Sequence, residues 1–141
     1  MSTLFLDASV VLAAFDRDDD LHTPARAILS DGAVTLATLD LARYEVTNVA
    51  IRAWRAPKLV SPLLEAIERI ASDGGVLLST QTLLARAAQL AQEHALSAYD
   101  AAYVAAASYA GSSLVSCDIR DLVGKGLASS PAAAFQETDR E

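Results

Sequence analysis

The sequence predicts an α/β fold, a three-layer α/β/α sandwich around a central parallel sheet of four or five strands, and three observations predict it. Four short apolar runs stand apart along the chain: TLFL from Thr3, VTLATL from Val34, VLLS from Val76 and SLVSC from Ser113. Each gap between them carries helical periodicity and has room for two helices. Strands that alternate with helical crossovers pair in parallel and take their helices on both faces. The third observation is bulk composition: 141 residues, 52% hydrophobic and 21% charged, with six Gly and four Pro. Those numbers fit one compact domain over residues 1–141 and exclude a disordered or fibrous chain.

Taken in order, the first run is a buried strand that ends at Asp7, where a helical pattern, ASVVLAAF, takes over. Thr23 followed by Pro24 predicts a cap and a first-turn proline, and Gly32 closes that second helix. After the second strand, Asp40 predicts the N-cap of a helix that carries Arg43, Glu45, Ile51 and Trp54. Ser61 and Pro62 repeat the opening device for the fourth helix. Beyond the third strand lie two more helices. Ser97 and Asp100 have the capping-box spacing S-x-x-[DE] at the start of the second of them, and Gly111 ends it. Past the fourth strand, IRDLVGKG predicts one short helix, and SSPAAAFQETDRE predicts a fifth edge strand or a frayed tail.

Composition also narrows the function classes. No Lys or Arg precedes Asp7, and that acid interrupts the first apolar run, so no secretory signal is expected. The window Ala101 to Val115 is too short and too rich in Ser and Gly to span a bilayer. A lone Cys117 has no intramolecular disulfide partner, which suits a reducing cytoplasm. The formal charge of −7 argues against a broad electrostatic footprint for nucleic acid. Charge is unevenly spread, however: Arg43, Arg52, Arg55 and Lys58 stand against Glu45 alone, whereas Asp16 to Asp20 holds four acids and one Arg.

Asp7 and Asp118 each follow an apolar strand, and in parallel α/β sheets the crevice outside the carboxyl ends of the strands is where ligands bind. Asp100 lies in the first turn of the helix before the fourth strand, and Glu45 on the helix after the second. Each has a plainer alternative: Asp7 and Asp118 as helix caps, Asp100 as a capping-box residue, Glu45 as a solvated helix residue. If the four converge, they cannot all ionise unaided, and a divalent cation relieves the repulsion. With His22 and His94 placed elsewhere and a single Cys, the donor set is oxygen only, which favours Mg²⁺ or Mn²⁺ over zinc. Such a cation lowers the pKa of water and neutralises charge growing on a phosphorane, so phosphodiester hydrolysis is the expected chemistry. Asp121, three residues past Asp118, shares its helical face.

LFLDASVVLAA around Asp7, YEVTNVA around Glu45, LSAYDAAYVAAA around Asp100 and LVSCDIRDL around Asp118, in that order, resemble a PIN domain and specifically the toxin ribonucleases of VapC type. The resemblance covers nearly the whole chain. It implies a PIN-like sheet flanked by helices, Mg²⁺ with Mn²⁺ as an alternative, and endonucleolytic cleavage of structured RNA such as transfer or ribosomal RNA. Asp7, Asp100 and Asp118 match the metal-site acids, and Glu45 the acid that completes the quartet and orients water. Ser9 and Ser116 match positions where a hydroxyl supports the site, and Asp121 is a further auxiliary candidate. Arg17, Arg43, Arg52, Arg55, Arg120 and Lys125 are candidate RNA contacts on the rim.

The resemblance further implies a cytoplasmic homodimer held in check by a small VapB-type antitoxin lying in a hydrophobic groove. Trp54, Leu59, Val60, Leu63, Leu64 and Ile67 supply apolar surface for such a groove, with plain core packing as the alternative. A rival of another class is a PIN-like scaffold that docks RNA or protein without turnover, which the loss of one or more acids would mark. A haloacid-type phosphatase is disfavoured, because Ser9 stands where a second Asp is required.

Overall fold

The computed structural model describes residues 3–72 and 74–139. Four strands, β1 (Thr3–Leu6), β2 (Thr35–Leu39), β3 (Val76–Leu77) and β4 (Ser113–Val115), form one parallel sheet in the order β3-β2-β1-β4. Register pairs Phe5 with both Ala37 and Leu114, so β1 is central and β4 is its neighbour. Helices α1 (Ala8–Phe15) and α2 (His22–Ser30) connect β1 to β2, α3 (Leu41–Asn48) and α4 (Val60–Ser72) connect β2 to β3, and α5 (Gln81–His94) and α6 (Ala98–Tyr109) connect β3 to β4. A last helix, α7 (Pro131–Asp139), follows β4. The α/β sandwich with a four-strand parallel sheet is thus the observed fold.

Side chains alternate across the sheet as the two-residue period of a strand requires. Phe5, Ala37, Leu39 and Leu114 pack with buried residues of α3, α4, α5 and α6. Leu4, Leu6 and Val115 pack on the other face with Val10, Ala13, Ala25, Ile28 and Ala134 of α1, α2 and α7. Thr38 is a buried polar exception on β2, and its hydroxyl donates to Leu6 O at 2.7 Å, adding a side-chain bond between the two central strands. Gly75 leads into β3 under tight constraint, since a Cβ there would lie 2.3 Å from Leu36 O and 2.9 Å from Ile70 O.

Several local expectations are corrected. The C-terminal stretch is neither a fifth strand nor a frayed tail: Ser129 makes one parallel bridge to Val115, and Ser130 Oγ then accepts the Ala133 N–H to open α7. Its last two residues, Arg140 and Glu141, lie outside the described residues. Asp40 does not cap α3. Its carboxylate accepts Ser79 N–H at 3.0 Å and Ser79 Oγ at 2.5 Å, and so spans from the end of β2 to the residues after β3. Helix α2 starts at His22, before Thr23, with His22 Nδ1 2.8 Å from Ala13 O in place of a side-chain cap. Helix α4 starts at Val60 behind a short 3₁₀ turn, Pro57–Leu59, so Pro62 falls inside its first turn, where a missing N–H costs nothing. Only the first five residues of IRDLVGKG, Ile119–Val123, are helical, as a π-helical turn, and α3 likewise runs on into a π-helical turn, Val49–Ala53.

Candidate active site

Both chain ends of the central strand pair feed one small region. Asp7 directly follows β1, its N–H bonds Val115 O at 3.2 Å, and its side chain is only 5% exposed. It is the N-cap of α1, with Oδ1 accepting Ser9 N–H at 3.1 Å. Both oxygens also take hydroxyl donors: Ser9 Oγ donates to Oδ1 and Ser116 Oγ to Oδ2. Ser9 Oγ in turn accepts Cys117 N–H at 2.9 Å, and Ser116 Oγ accepts Asp118 N–H at 3.0 Å. The two serines therefore bind the carboxylate at the end of β1 to the chain that leaves β4.

Asp118 caps the π-helical turn, its Oδ1 accepting Asp121 N–H at 2.9 Å. Ser97 caps α6 by accepting Asp100 N–H at 3.1 Å, which leaves the Asp100 carboxylate at the first turn of that helix. Carboxylate oxygens of Asp100, Asp118 and Asp121 lie within 4.8 Å of one another, each residue half-buried. Among the described residues this is the one cluster of three such groups. Asp121 is thus as close a member as Asp118. Sequence spacing left its place open because a π-helical turn, unlike a regular helix, is not legible in the residue pattern.

Glu45 completes the acidic surroundings from α3. It is half-buried, and Tyr103 Oη donates to its Oε1 at 2.6 Å. Sequence reasoning missed Tyr103. The available signal was its position one turn after Asp100 on α6, which places the two on the same helical face.

Burial, with neighbouring charge adding to it, raises the pKa of three of the acids. Asp7 is pushed up to about 6, chiefly by burial, with the two serine hydroxyls opposing and the charges of Glu45 and Asp100 adding. Glu45 is raised by burial, with Tyr103 opposing and Asp100 adding. Asp100 is raised by burial and then by Asp118 and Asp121. Burial and Asp7 together push the Cys117 thiol up to about 12, so it is an inert neighbour. Asp7, Glu45 and Asp100 therefore each feel at least one other acid. A site with only oxygen donors, hydroxyl supports from half-buried Ser9 and buried Ser116, and crowded negative charge fits a hard divalent cation, and it fits zinc poorly.

The candidate rim cations divide. Lys125 Nζ donates to His94 O at 2.7 Å and stands 3.9 Å from Asp121, whose charge it partly offsets. Arg120 is exposed on the turn that Asp118 caps. Arg43 is engaged by Glu68 at 2.9 Å. Arg52 and Arg55 are exposed beyond α3, Arg55 with a left-handed φ of 51°. Arg17 follows the far end of α1, one eight-residue helix (about 12 Å) from Asp7, so it lies away from the acids.

The apolar residues around α4 are largely core. Leu63 and Ile67 are fully buried, and Trp54, Leu59, Val60 and Leu64 pack against that core. Exposed apolar surface lies instead in a groove of 900 Å³ lined by Tyr44, Ile51, Leu64 and Leu78 together with Arg43 and Arg52. Tyr44 is 75% exposed and Leu78 70%. No described helix is long and apolar enough to cross a membrane.

Comparison with known proteins decides the family. The model of the PIN domain matches residues 4–122, which takes in β1 through the turn after Asp118. The chain belongs to the PIN domain family. No curated protein matches its sequence. Solved structures similar to this PIN domain include a toxin-antitoxin complex from Klebsiella pneumoniae, 21% identical over 92% of this chain and 98% of that one, with a TM-score of 0.66. PAE2754 from Pyrobaculum aerophilum is 22% identical over 99% and 91% of the two chains, with a TM-score of 0.67. The sarcin-ricin-loop-cleaving toxin VapC20 of Mycobacterium tuberculosis is 20% identical over 83% and 91%, with a TM-score of 0.63. At these identities the PIN fold is what is shared.

Proposed function

We propose that this PIN domain is a metal-dependent endoribonuclease, the toxin of a VapBC-type pair, acting on structured RNA such as transfer or ribosomal RNA. The observation that carries the reading is the meeting of Asp100, Asp118 and Asp121 within 4.8 Å, beside a buried Asp7 and a tethered Glu45. Asp7, Asp100 and Asp118 would hold Mg²⁺ or Mn²⁺, with Asp121 as a further oxygen donor at the same place. When bound, the cation supplies a Lewis acid that neutralises phosphodiester charge and brings water into the nucleophilic range near neutral pH.

The chain's own residues account for the rest. Ser9 and Ser116 fix both oxygens of Asp7, so that the carboxylate meets a cation without rearranging. Glu45, raised above the usual carboxylate range, is a proton acceptor close to the acids. Exposed Tyr99 and Tyr44 adjoin Asp100 and Glu45 and offer faces on which unpaired bases stack. Arg120 is an exposed cation for phosphate beside Asp118, with Arg52 and Arg55 at the end of α3. Lys125 and Arg43, already engaged, are weaker contacts. A small antitoxin and a second copy of the chain complete the proposal, and the apolar groove over Tyr44, Ile51, Leu64 and Leu78 is surface for such an assembly to cover.

The test is cleavage of transfer and ribosomal RNA by the purified chain with Mg²⁺ or Mn²⁺. Cleavage should vanish with EDTA and fall at least about 100-fold in Asp7→Asn and Asp100→Asn. Cleavage that survives both treatments refutes the assignment.

A further inference from the structure

We propose that Tyr103 is a positioning residue of this site: its buried hydroxyl, seated between α1, α3 and α6, holds the Glu45 carboxylate toward Asp7 and Asp100. The inference rests on the nuclease reading above and concerns a residue outside the acid set.

Tyr103 is among the largest fully buried side chains, 2% exposed, in a layer otherwise built of alanine and aliphatic residues. A phenylalanine fills such a place equally well, so the hydroxyl needs a partner of its own. It has one in Glu45. The proton goes to Glu45 Oε1 at 2.6 Å, a short charge-assisted bond. The oxygen faces the Ala8 N–H, which belongs to the first residue of α1 and has no acceptor within the helix. Ala8 follows Asp7, and Tyr103 stands one turn after Asp100. The hydroxyl therefore joins the helices that deliver Glu45 and Asp100, and the ring packs in the same cluster as Ala8, the neighbour of Asp7.

Glu45 depends on that link. Among the described residues, Tyr103 is the only hydrogen-bond donor to its carboxylate. The side chain is half-buried, so solvent competes for it. Without the hydroxyl, Glu45 gains by turning outward, away from the repulsion of Asp100 that already raises its pKa. The tether offsets that tendency and keeps the carboxylate where a proton acceptor is useful.

The experiment is a double-mutant cycle of Tyr103→Phe and Glu45→Gln in Mn²⁺-dependent RNA cleavage. It is paired with carbon NMR of the Glu45 carboxyl in metal-free protein labelled at glutamate. Thermal unfolding of each variant reports the fold. Loss of one hydrogen bond to a charged group predicts a fall in kcat of about tenfold for Tyr103→Phe, with KM changed less than about twofold. In the Glu45→Gln background the same substitution should change kcat less than about twofold. The Glu45 carboxyl signal should move in Tyr103→Phe. A full tenfold loss in the Glu45→Gln background, a change confined to KM, or an unmoved Glu45 signal overturns the inference. If the wild-type chain cuts no RNA, the nuclease reading falls, and the Glu45 signal alone then decides the tether.

Discussion

Asp7 shows how far one carboxylate can be driven from its ordinary behaviour while still accepting three hydrogen bonds. Burial outweighs the two serine hydroxyls and lifts its pKa to about 6. In the metal-free chain the folded state therefore holds the proton more tightly than the unfolded state, whose pKa is near the ordinary value of about 3.9. The resulting contribution to stability is present in full below about pH 4 and is lost as pH rises through about 6. It amounts to about 3 kcal/mol at most. Glu45 and Asp100, raised for the same reason, act in the same direction. We therefore expect Asp7→Asn to be more stable than wild type at pH 7.5 in EDTA, by about 2 kcal/mol in urea unfolding. The gap should close as pH falls to 4. Mn²⁺ at pH 7.5 should stabilise the wild type and leave the Asn variant little changed. A gap independent of pH would show that Asp7 does not carry the shift.

At the level of elements, the plain reading of these acids and the functional one turn out to be compatible. Asp7 and Asp118 are helix caps, and the capping residue Ser97 sets the position of Asp100. The cap bond of Asp118 uses one lone-pair direction, and the rest of that carboxylate can still face its neighbours. Three helical N-termini pointing at one place also bring their positive ends to bear on the crowded charge. Gly75 gives the element-level test. Gly75→Ala drives a methyl into Leu36 O and Ile70 O, so it should destabilise by at least about 2 kcal/mol and loosen the start of β3. Gly32→Ala meets nothing within 4 Å and should be neutral or slightly stabilising. Chemical denaturation of the two variants separates these outcomes.

The strands and their parallel order were legible because each apolar run is bounded by a change of period, and buried parallel strands need such runs. Boundaries were not: β3 shrinks to Val76–Leu77, the two residues that pair with β2, and Leu78 beyond them is exposed. Ser130 and Pro131 announce α7 by the same device that marks Ser61 and Pro62, yet the small-residue run that follows them reads equally as a tail. Asp40 carried a cap signal that a tertiary partner, Ser79, overrode. Asp7, Asp100 and Asp118 stood out because charge is unexpected in apolar surroundings. Tyr103 did not, because an aromatic on a buried helix is ordinary and only its neighbour gives the hydroxyl meaning.

For the molecule as a whole, a net charge of −7 combined with an exposed apolar groove favours specific assembly over general adhesion to RNA. We expect the purified chain to sediment at twice its monomer mass at micromolar concentration, and a monomer there would count against the proposed homodimer. The bond from Ser116 to Asp7 joins positions 109 residues apart. During synthesis the first of these leaves the ribosome long before the second exists, and Asp100 and Asp118 also arrive late. The acids cannot assemble until the turn after β4 has been made, so a site built this way takes shape only after all four strands exist.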